Sequence, residues 1–414
     1  MNKIICFDNW TAGAHHFERL VLEFEKYGYS LILIHVGSWA HDKEREKEEF
    51  IGKLLVRDIS YYNGKSLNKV LKEENPVAVL FLDTNSFPHM AFNRYASKLN
   101  IPTCLIYHGL VTVQAVGLGS QSPHKRNVTN TLQILRKRIF ANLFIKVPIY
   151  IKSLIITAAP FSYWKSLMFG LLMKALNNDV SMGASITTKI GAVYTSSDIS
   201  HMNTKFKIPK DKIYVVGNPD LISFGLTSKQ FLSNISNNNK VIMYIDTAYL
   251  QAGVVYKNEK DFLNHLNYTR NQLMLIGYSF VLKLHPAHYM TDIPKRLQEM
   301  KIKICKDDFV DNLNKCCSVI TEPSSAAMIP ALMGMPLLLA NYKTLEGQEY
   351  GKVLKKYPRS IYLNNISEIK QLLNYESKYL DLNSLNKWIS LNSGPMPAED
   401  MPKRVVKAVD EMLN

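Results

Sequence analysis

The stretch FVLKLHPAHY, residues 280–289, runs apolar, turns basic and meets a proline. Phe280, Val281 and Leu282 read as the end of a buried strand that Pro286 prevents from continuing. Lys283, His285 and His288 then fall where a strand stops, the place at which a parallel α/β sheet offers side chains to a ligand. An ammonium and imidazoles there suit a phosphate, with a solvated loop as the plain alternative. A second stretch, VITEPSSAAMIPALMGMP, adds to the first. A strand is expected to end at Thr321, Pro323 turns the chain, and Ser324 and Ser325 stand where a helix should start. Unpaired amides and the positive end of the helix dipole would favour an anion there. Capping alone accounts for one of the two serines. Together with Lys283 and His285, the pair points to a site that neutralises phosphate charge as a leaving group departs.

Other candidates are more isolated. CLIYHGL places His108 at a strand end, before a glycine that permits close approach. An imidazole there could take a proton from an acceptor hydroxyl near neutral pH. Asp83, which closes VAVLFLD, is the rival base. The opening loop DNWTAGAHHFERL holds Gly13, which allows a tight turn, and His15 and His16, either of which could reach an acceptor or donor phosphates. It is not a GxGxxG fingerprint, so no dinucleotide is expected. Asp246 and Thr247, after VIMYIDT, occupy a donor-side loop position, while Thr195, Ser196 and Ser197 either line a site or cap a helix. The nearest carboxylate pair, Asp307 and Asp308, reads as a solvated turn. Neither a metal nor a cofactor is expected.

The elements that would position these residues alternate strand and helix, which implies βαβ units and parallel sheets. In the first half KIICF, SLILIHVG, VAVLFLD, TCLIYHG, KIGAVYTSS and KIYVVGNPD read as strands. HDKEREKEEFIGKLL, about residues 41–55, reads as a charged helix. The polar stretch 227–240 looks like a linker, after which VIMYIDT, SFVLKLHP, a strand in RLQEMKIKICKDD, and the strand–turn–helix–strand of 314–342 form a second set. The expected architecture is two doubly wound, Rossmann-like domains facing across a cleft. The first covers 1–221, a linker 222–240, the second 241–396, and a closing amphipathic helix 397–414.

With 414 residues, 47% of them hydrophobic, the chain can build two such cores. None of its five cysteines forms a CxxC pair, which suits a reducing cytoplasm rather than zinc or disulfides. No apolar run reaches the about 18 residues of a membrane span, and the N-terminus lacks a signal peptide. The net charge is +15, and no Asp or Glu occurs between Asp83 and Asp179, a window with eleven Lys or Arg. Within it, residues 125–178 set isolated lysines on a very apolar background. That suits a segment lying in a lipid interface, or else a core helical hairpin with snorkelling lysines. Nucleic acid is not expected, because no RNP, KH or helix-turn-helix signature accompanies the charge.

Motif order across residues 80–345 adds a resemblance. YHG, VVGNPD, KLHP, TEPSSAA and MGMPLLL together resemble bacterial surface-polysaccharide glycosyltransferases of GT-B architecture. That group includes capsule Kdo transferases, polysialyltransferases and CDP-glycerol polymerases. The resemblance implies that His285-Pro286 meets the donor phosphate, that Ser324 and Ser325 hold it, and that no metal is needed. CDP-glycerol polymerases carry a His-Gly comparable to His108-Gly109, whereas polysialyltransferases carry an acidic pair that this chain lacks. The implied protein is a cytoplasmic, peripheral inner-membrane, inverting glycosyltransferase. Its expected donor is a CMP-linked Kdo or sialic-acid-like sugar, and its acceptor a capsule or lipopolysaccharide glycan, lipid-linked. The alternatives are a UDP- or CDP-linked donor, a UDP-N-acetylglucosamine 2-epimerase-like enzyme, or a non-catalytic membrane scaffold.

Overall fold

The computed structural model describes all residues except 10, 12, 41–45, 64–65, 108–144, 176–185, 236–237, 248, 253–254, 290, 306–307, 347–348 and 379. They form two compact units. The first holds the described residues up to Val216 together with Asp400–Asn414, and the second holds those of Gly217–Glu399.

Eight strands make the sheet of the first unit: β1 (Asn2–Asp8), β2 (Tyr29–His35), β3 (Glu48–Ile51), β4 (Leu54–Asp58), β5 (Ala78–Phe81), β6 (Thr103–Ile106), β7 (Ile190–Val193) and β8 (Ile213–Val215). Their order is β3-β4-β2-β1-β5-β6-β7-β8, parallel throughout except for β3. The central strand β1 sets Ile4 opposite Leu31 on one side and Ala78 on the other. Its continuous run Ile4, Ile5, Cys6 and Phe7 is buried because both faces of the sheet are covered, the mark of a parallel sheet. On one face Ile4 and Cys6 join a core with Phe17, Phe24 and the closing helix Met401–Leu413. On the other, Phe7 stacks on Phe92 of the helix Phe87–Lys98, ring centroids 4.2 Å apart.

The charge-rich stretch 41–55, expected as a helix, instead carries a hairpin over its described part. β3 and β4 pair antiparallel, Ile51 opposite Leu54, around Gly52 at φ +58°. Glu and Lys favour a helix locally, but Leu54 and Val56 alternate into the core as β4 docks on β2, and that burial outweighs propensity.

The second unit's sheet contains β9 (Val241–Ile245), β10 (Ser279–Lys283), β11 (Ser318–Thr321), β12 (Leu337–Leu339) and β13 (Ser360–Tyr362), all parallel, in the order β10-β9-β11-β12-β13. The strand expected in KIKIC shrinks to a single parallel bridge between Ile304 and Leu282. Counting that bridge, the order is that of a doubly wound Rossmann sheet, 3-2-1-4-5-6, and the strand order reverses between β9 and β11. The stretch 222–240 packs on this unit. Leu226 enters its core, and the buried Asn234 amide donates to the carbonyls of Leu313 (2.8 Å) and Cys316 (3.1 Å).

The helix Met401–Leu413 returns the chain to the first unit. Tyr29 donates to Asp410 (2.7 Å), Lys189 to the Met412 carbonyl (2.8 Å) and Arg404 to the Val216 carbonyl (3.0 Å). Met401, Val405, Val409 and Met412 are buried along one stripe. Met401→Ala is expected to destabilise the protein by about 2–5 kcal/mol, seen as a lower urea midpoint with unchanged slope. An unchanged midpoint would mean that this helix is not part of the core.

Candidate functional site

The loops that follow β10, β9, β11 and β12 lie side by side at the carboxyl edge of the second sheet, and most of the predicted donor-site residues are on them. Two buried carboxylates organise this edge. Asp246, just after β9, accepts the His285 backbone N–H (2.9 Å) and the His288 ring at Nδ1 (2.6 Å), both on Oδ2. Its own N–H donates to the Lys283 carbonyl (2.9 Å). The predicted ligand-binding Asp246 is therefore a buried brace that holds the KLHP loop against β9. His288 is fully buried against Phe262, and its Nε2 has no hydrogen-bond partner.

His285 is half-buried and differently placed. Its Nδ1 accepts from the Ala287 N–H (3.1 Å), so the neutral ring carries its proton on Nε2. Burial, together with His288 and Lys283, holds its pKa below the usual histidine value, against the opposing pull of Asp246. The ring is thus a neutral donor near pH 7. Pro286 opens the single helical turn Pro286–His288 that His285 caps. The Lys283 ammonium lies 5.8 Å from the centroid of the Phe309 ring and forms no ion pair among the described residues.

Glu322 is the second brace, and reading TEPSS for its serines missed it. Its buried carboxylate accepts from Tyr244 (2.7 Å), Tyr256 (2.8 Å), Thr247 (3.1 Å) and Asn341 (3.4 Å). Burial pushes its pKa up, while the tyrosine and threonine hydroxyls pull it down without cancelling the rise. Thr247, predicted to touch the donor, spends its hydroxyl on this brace. The sequence signal was a Glu between an apolar strand and a proline, where no solvated residue is needed.

Beyond Glu322 the expected helix start at Ser324 and Ser325 is not found. The helix covers only Met328–Leu332, and the serines lie in turns closed by Ala327 N–H to Ser324 O (3.2 Å) and Met328 N–H to Ser325 O (3.1 Å). Pro323, whose carbonyl accepts from Tyr249 (2.9 Å), leads into bends and turns that fill the chain up to the helix. The macrodipole argument therefore does not apply to these residues. What remains is the Ser324 hydroxyl, which is shielded from solvent and has no hydrogen-bond partner, beside an exposed Ser325. An unsatisfied buried hydroxyl is costly unless a ligand meets it.

In the first unit strand order reverses between β1 and β5, where the opening loop and Asp83 meet. The chain turns at Gly13, where the Ala14 N–H donates to the Thr11 carbonyl (3.0 Å), with an ordinary φ of −83°. A Cβ on Gly13 would lie 2.5 Å from Asp8 Oδ2 and 2.8 Å from Leu82 Cδ1, so a larger residue would oblige those side chains to shift. His15 is exposed, and its ring centroid lies 3.8 Å from that of His16, tilted by 40°, at the start of the short helix Ala14–Glu18. Asp83 Oδ1 is engaged by the N–H groups of Thr84 (2.8 Å) and Asn85 (3.1 Å). His89 escaped sequence reading; this buried ring takes part in a network with Ser86 (2.6 Å) and Asn9 (3.4 Å) at Nδ1. Thr195 serves its helix, bonding Asp198 through N–H (3.0 Å) and hydroxyl (2.8 Å), and burial pushes Asp198 up to about 6. His108 lies outside the described residues, as does Asp307. Among the described residues no group of three or more His, Cys, Asp or Glu could hold a metal ion.

No family model and no curated protein matches the chain. Solved structures do. The chain is similar to CalG4, the calicheamicin glycosyltransferase (12% identity, 100% of this chain and 98% of that one, TM-score 0.50), and to the glycotransferase of kitacinnamycin (11%, 100% and 99%, TM-score 0.51). The wall teichoic acid polymerase TagF aligns at 12% identity over 100% of this chain and 88% of its own, with a TM-score of 0.48. At such identities the likeness is one of fold. The chain has the GT-B fold, with two Rossmann-like domains.

The hydrogen bonds around His285 predict its titration. By NMR the ring should be the Nε2–H tautomer at pH 7 and titrate below the ordinary value of about 6.5. Asp246→Asn should move that midpoint further down, because the carboxylate favours the imidazolium. A midpoint above 6.5 in the native protein would refute the arrangement.

Proposed function

We propose that the protein is a glycosyltransferase that moves a sugar from a nucleotide-activated donor to a bacterial surface glycan. The observation that carries this reading is the edge at which Asp246 aims a neutral His285 and Glu322 underpins the loop bearing the unsatisfied Ser324 hydroxyl. In this reading His285 Nε2–H, the Lys283 ammonium and the serine hydroxyls take the donor phosphate. As the anomeric carbon–oxygen bond breaks, charge builds on that phosphate, and preorganised donors stabilise it most where water is excluded. The acceptor hydroxyl attacks the anomeric carbon with inversion and gives its proton to His108, proposed from its sequence position after β6. Asp83, already committed to two N–H groups, is the weaker base. Glu322 is engaged on both oxygens by protein hydroxyls, which argues against its serving in the carboxylate chemistry that a 2-epimerase would need.

The donor is proposed to be CMP-linked, Kdo or a sialic-acid-like sugar, and the acceptor a lipid-linked capsule or lipopolysaccharide glycan reached at the inner-membrane surface. The helices Val147–Ile156 and Phe161–Ala175 support the membrane part. Ile155 is 65% exposed, Phe161 80%, Met168 67% and Phe169 53%, with Lys152 and Lys165 exposed beside them. Apolar groups with cations and no acid suit an anionic lipid surface. The same hairpin also serves the core: Tyr150 and Leu154 are buried, and Arg94 donates to Thr157 (2.9 Å). No helix among the described residues is long and apolar enough to cross a membrane.

Thermal stabilisation by CMP, CDP, UMP and UDP tests the donor site. CMP should raise the melting temperature most, and His285→Ala and Ser324→Ala should each remove the shift. Once a donor is found, His285→Ala should lower kcat about 10²–10³-fold and His108→Ala about 10²–10⁴-fold. No shift from any of the four would sink the transferase reading in favour of a scaffold. A shift from UDP or CDP alone would replace CMP. Sedimentation with vesicles tests the membrane part: Phe161→Ser with Phe169→Ser should lose binding to vesicles rich in anionic lipid, and equal binding by the native protein to neutral vesicles would refute the charge argument.

A further inference from the structure

The first unit contains a cavity of about 590 Å³, and none of the predicted site residues lines it. It opens beside the turns that follow two neighbouring parallel strands. After β2 the turn Gly37–Ala40 brings Ser38 and Trp39, and after β4 the turn Ile59–Tyr62 brings Ile59 and Ser60. Asp58 ties these turns together. Its Oδ2 accepts the Ser38 N–H (3.0 Å) and its Oδ1 the Ser60 N–H (2.8 Å). Burial works to raise the pKa of Asp58, but hydrogen bonds from Ser38 and Ser60 outweigh it and hold the carboxyl below its ordinary value. This charge is turned inward, and none of the residues that line the cavity is acidic.

The lining is of three kinds. Ile59, Leu67 and Tyr95 are buried and make an apolar floor, and Trp39 is half-buried. Serines and Asn63 supply polar groups. Lys47 and Lys152 are exposed, and neither forms an ion pair among the described residues. The volume is that of a small-ligand site. A sugar ring offers just these complements: CH faces for an aromatic wall, hydroxyls for serine and amide, and, when acidic, a carboxylate or phosphate for two unpaired ammonium groups. An acyl chain would leave the hydroxyls and the amide without partners, and a neutral sugar would make no charge contact with the lysines.

We propose that this cavity binds an anionic saccharide unit, carboxylated or phosphorylated, between Lys47, Lys152 and Trp39. Its place as the acceptor subsite rests on the transferase reading, but binding itself does not. Lys152 and Ile149 belong to the helix Val147–Ile156, so a saccharide held here sits next to the hairpin proposed to touch lipid.

Calorimetry on the full chain at low salt tests this with three probes: a hyaluronan tetrasaccharide, glucose 6-phosphate and neutral cellotetraose. At least one anionic probe should bind, with cellotetraose about tenfold weaker or more, and the better probe identifies the anionic group. Lys47→Gln with Lys152→Gln should weaken that binding about tenfold or more, one charge-assisted hydrogen bond being worth at least that factor. Trp39→Ala should weaken both charged and neutral probes. Equal affinity for cellotetraose, no effect of the lysine substitutions, or no binding of any probe would each overturn the proposal. Nucleotide stabilisation of the native protein separates the two readings. If the native protein is stabilised by a nucleotide but binds no saccharide probe, the cavity proposal fails alone; saccharide binding without any nucleotide shift means the transferase reading fails alone.

Discussion

A single buried oxygen, Oδ2 of Asp246, determines how the second sheet ends. It takes one hydrogen bond from the backbone of His285 and one from the ring of His288. A carboxylate out of water is costly, and such a group persists only where donors replace its hydration. Here the donors come from the loop that must be held, so the solvation requirement of the acid becomes a constraint on loop shape. Once the His285 backbone is fixed, its Nδ1 faces the Ala287 N–H, and the ring proton is left on Nε2. The tautomer that can donate to a phosphate follows from a residue one strand away.

The same device recurs through the chain. Asp58 holds Ser38 and Ser60, Asp83 holds Thr84 and Asn85, Asp198 holds Thr195, and Asp308 holds Val310 and Asp311. Each of these carboxylates spends its oxygens on backbone N–H groups that a strand end or helix start leaves unpaired. Glu322 does so with hydroxyls instead, and its raised pKa shows the remaining strain of burial. With these acids used to shape loops, the mechanism proposed above assigns proton transfer and phosphate contact to histidine, lysine and serine.

The parts of this arrangement visible in the sequence are those set by local chemistry. Pro286 and Pro323 end their strands, and the apolar runs before them form parallel strands as expected. The parts that stayed hidden depend on partners far along the chain. Helix-forming charges around residues 46–51 gave no hint that Leu54 and Val56 would dock on β2 and carry them into a hairpin. Ser324 and Ser325 look like a helix start because capping statistics are local, whereas in the fold they lie in turns and the helix begins at Met328. Glu322 was invisible as a brace because its donors, Tyr244, Tyr256 and Thr247, lie more than sixty residues away. Gly13 was singled out for a turn, and its closeness to the Asp8 carboxylate becomes apparent only in the fold.

Turning the acids inward also decides how the net charge of +15 is expressed. A buried carboxylate bonded to amides does little to offset a lysine on the surface, so the outward field is more positive than a count of residues suggests. Arg94 is drawn into the core by Thr157 and Tyr163, but Lys283, Lys47 and Lys152 find no carboxylate among the described residues. These ammonium groups stand at the carboxyl edges of the sheets or on the adjoining hairpin, where doubly wound folds accept ligands. Lysines that were only solubilising would be scattered and interspersed with acids. Here their neighbours include the Phe309 ring beside Lys283 and the indole and hydroxyls that line the cavity with Lys47 and Lys152. The anionic ligands proposed above for the two units would meet these ammonium groups.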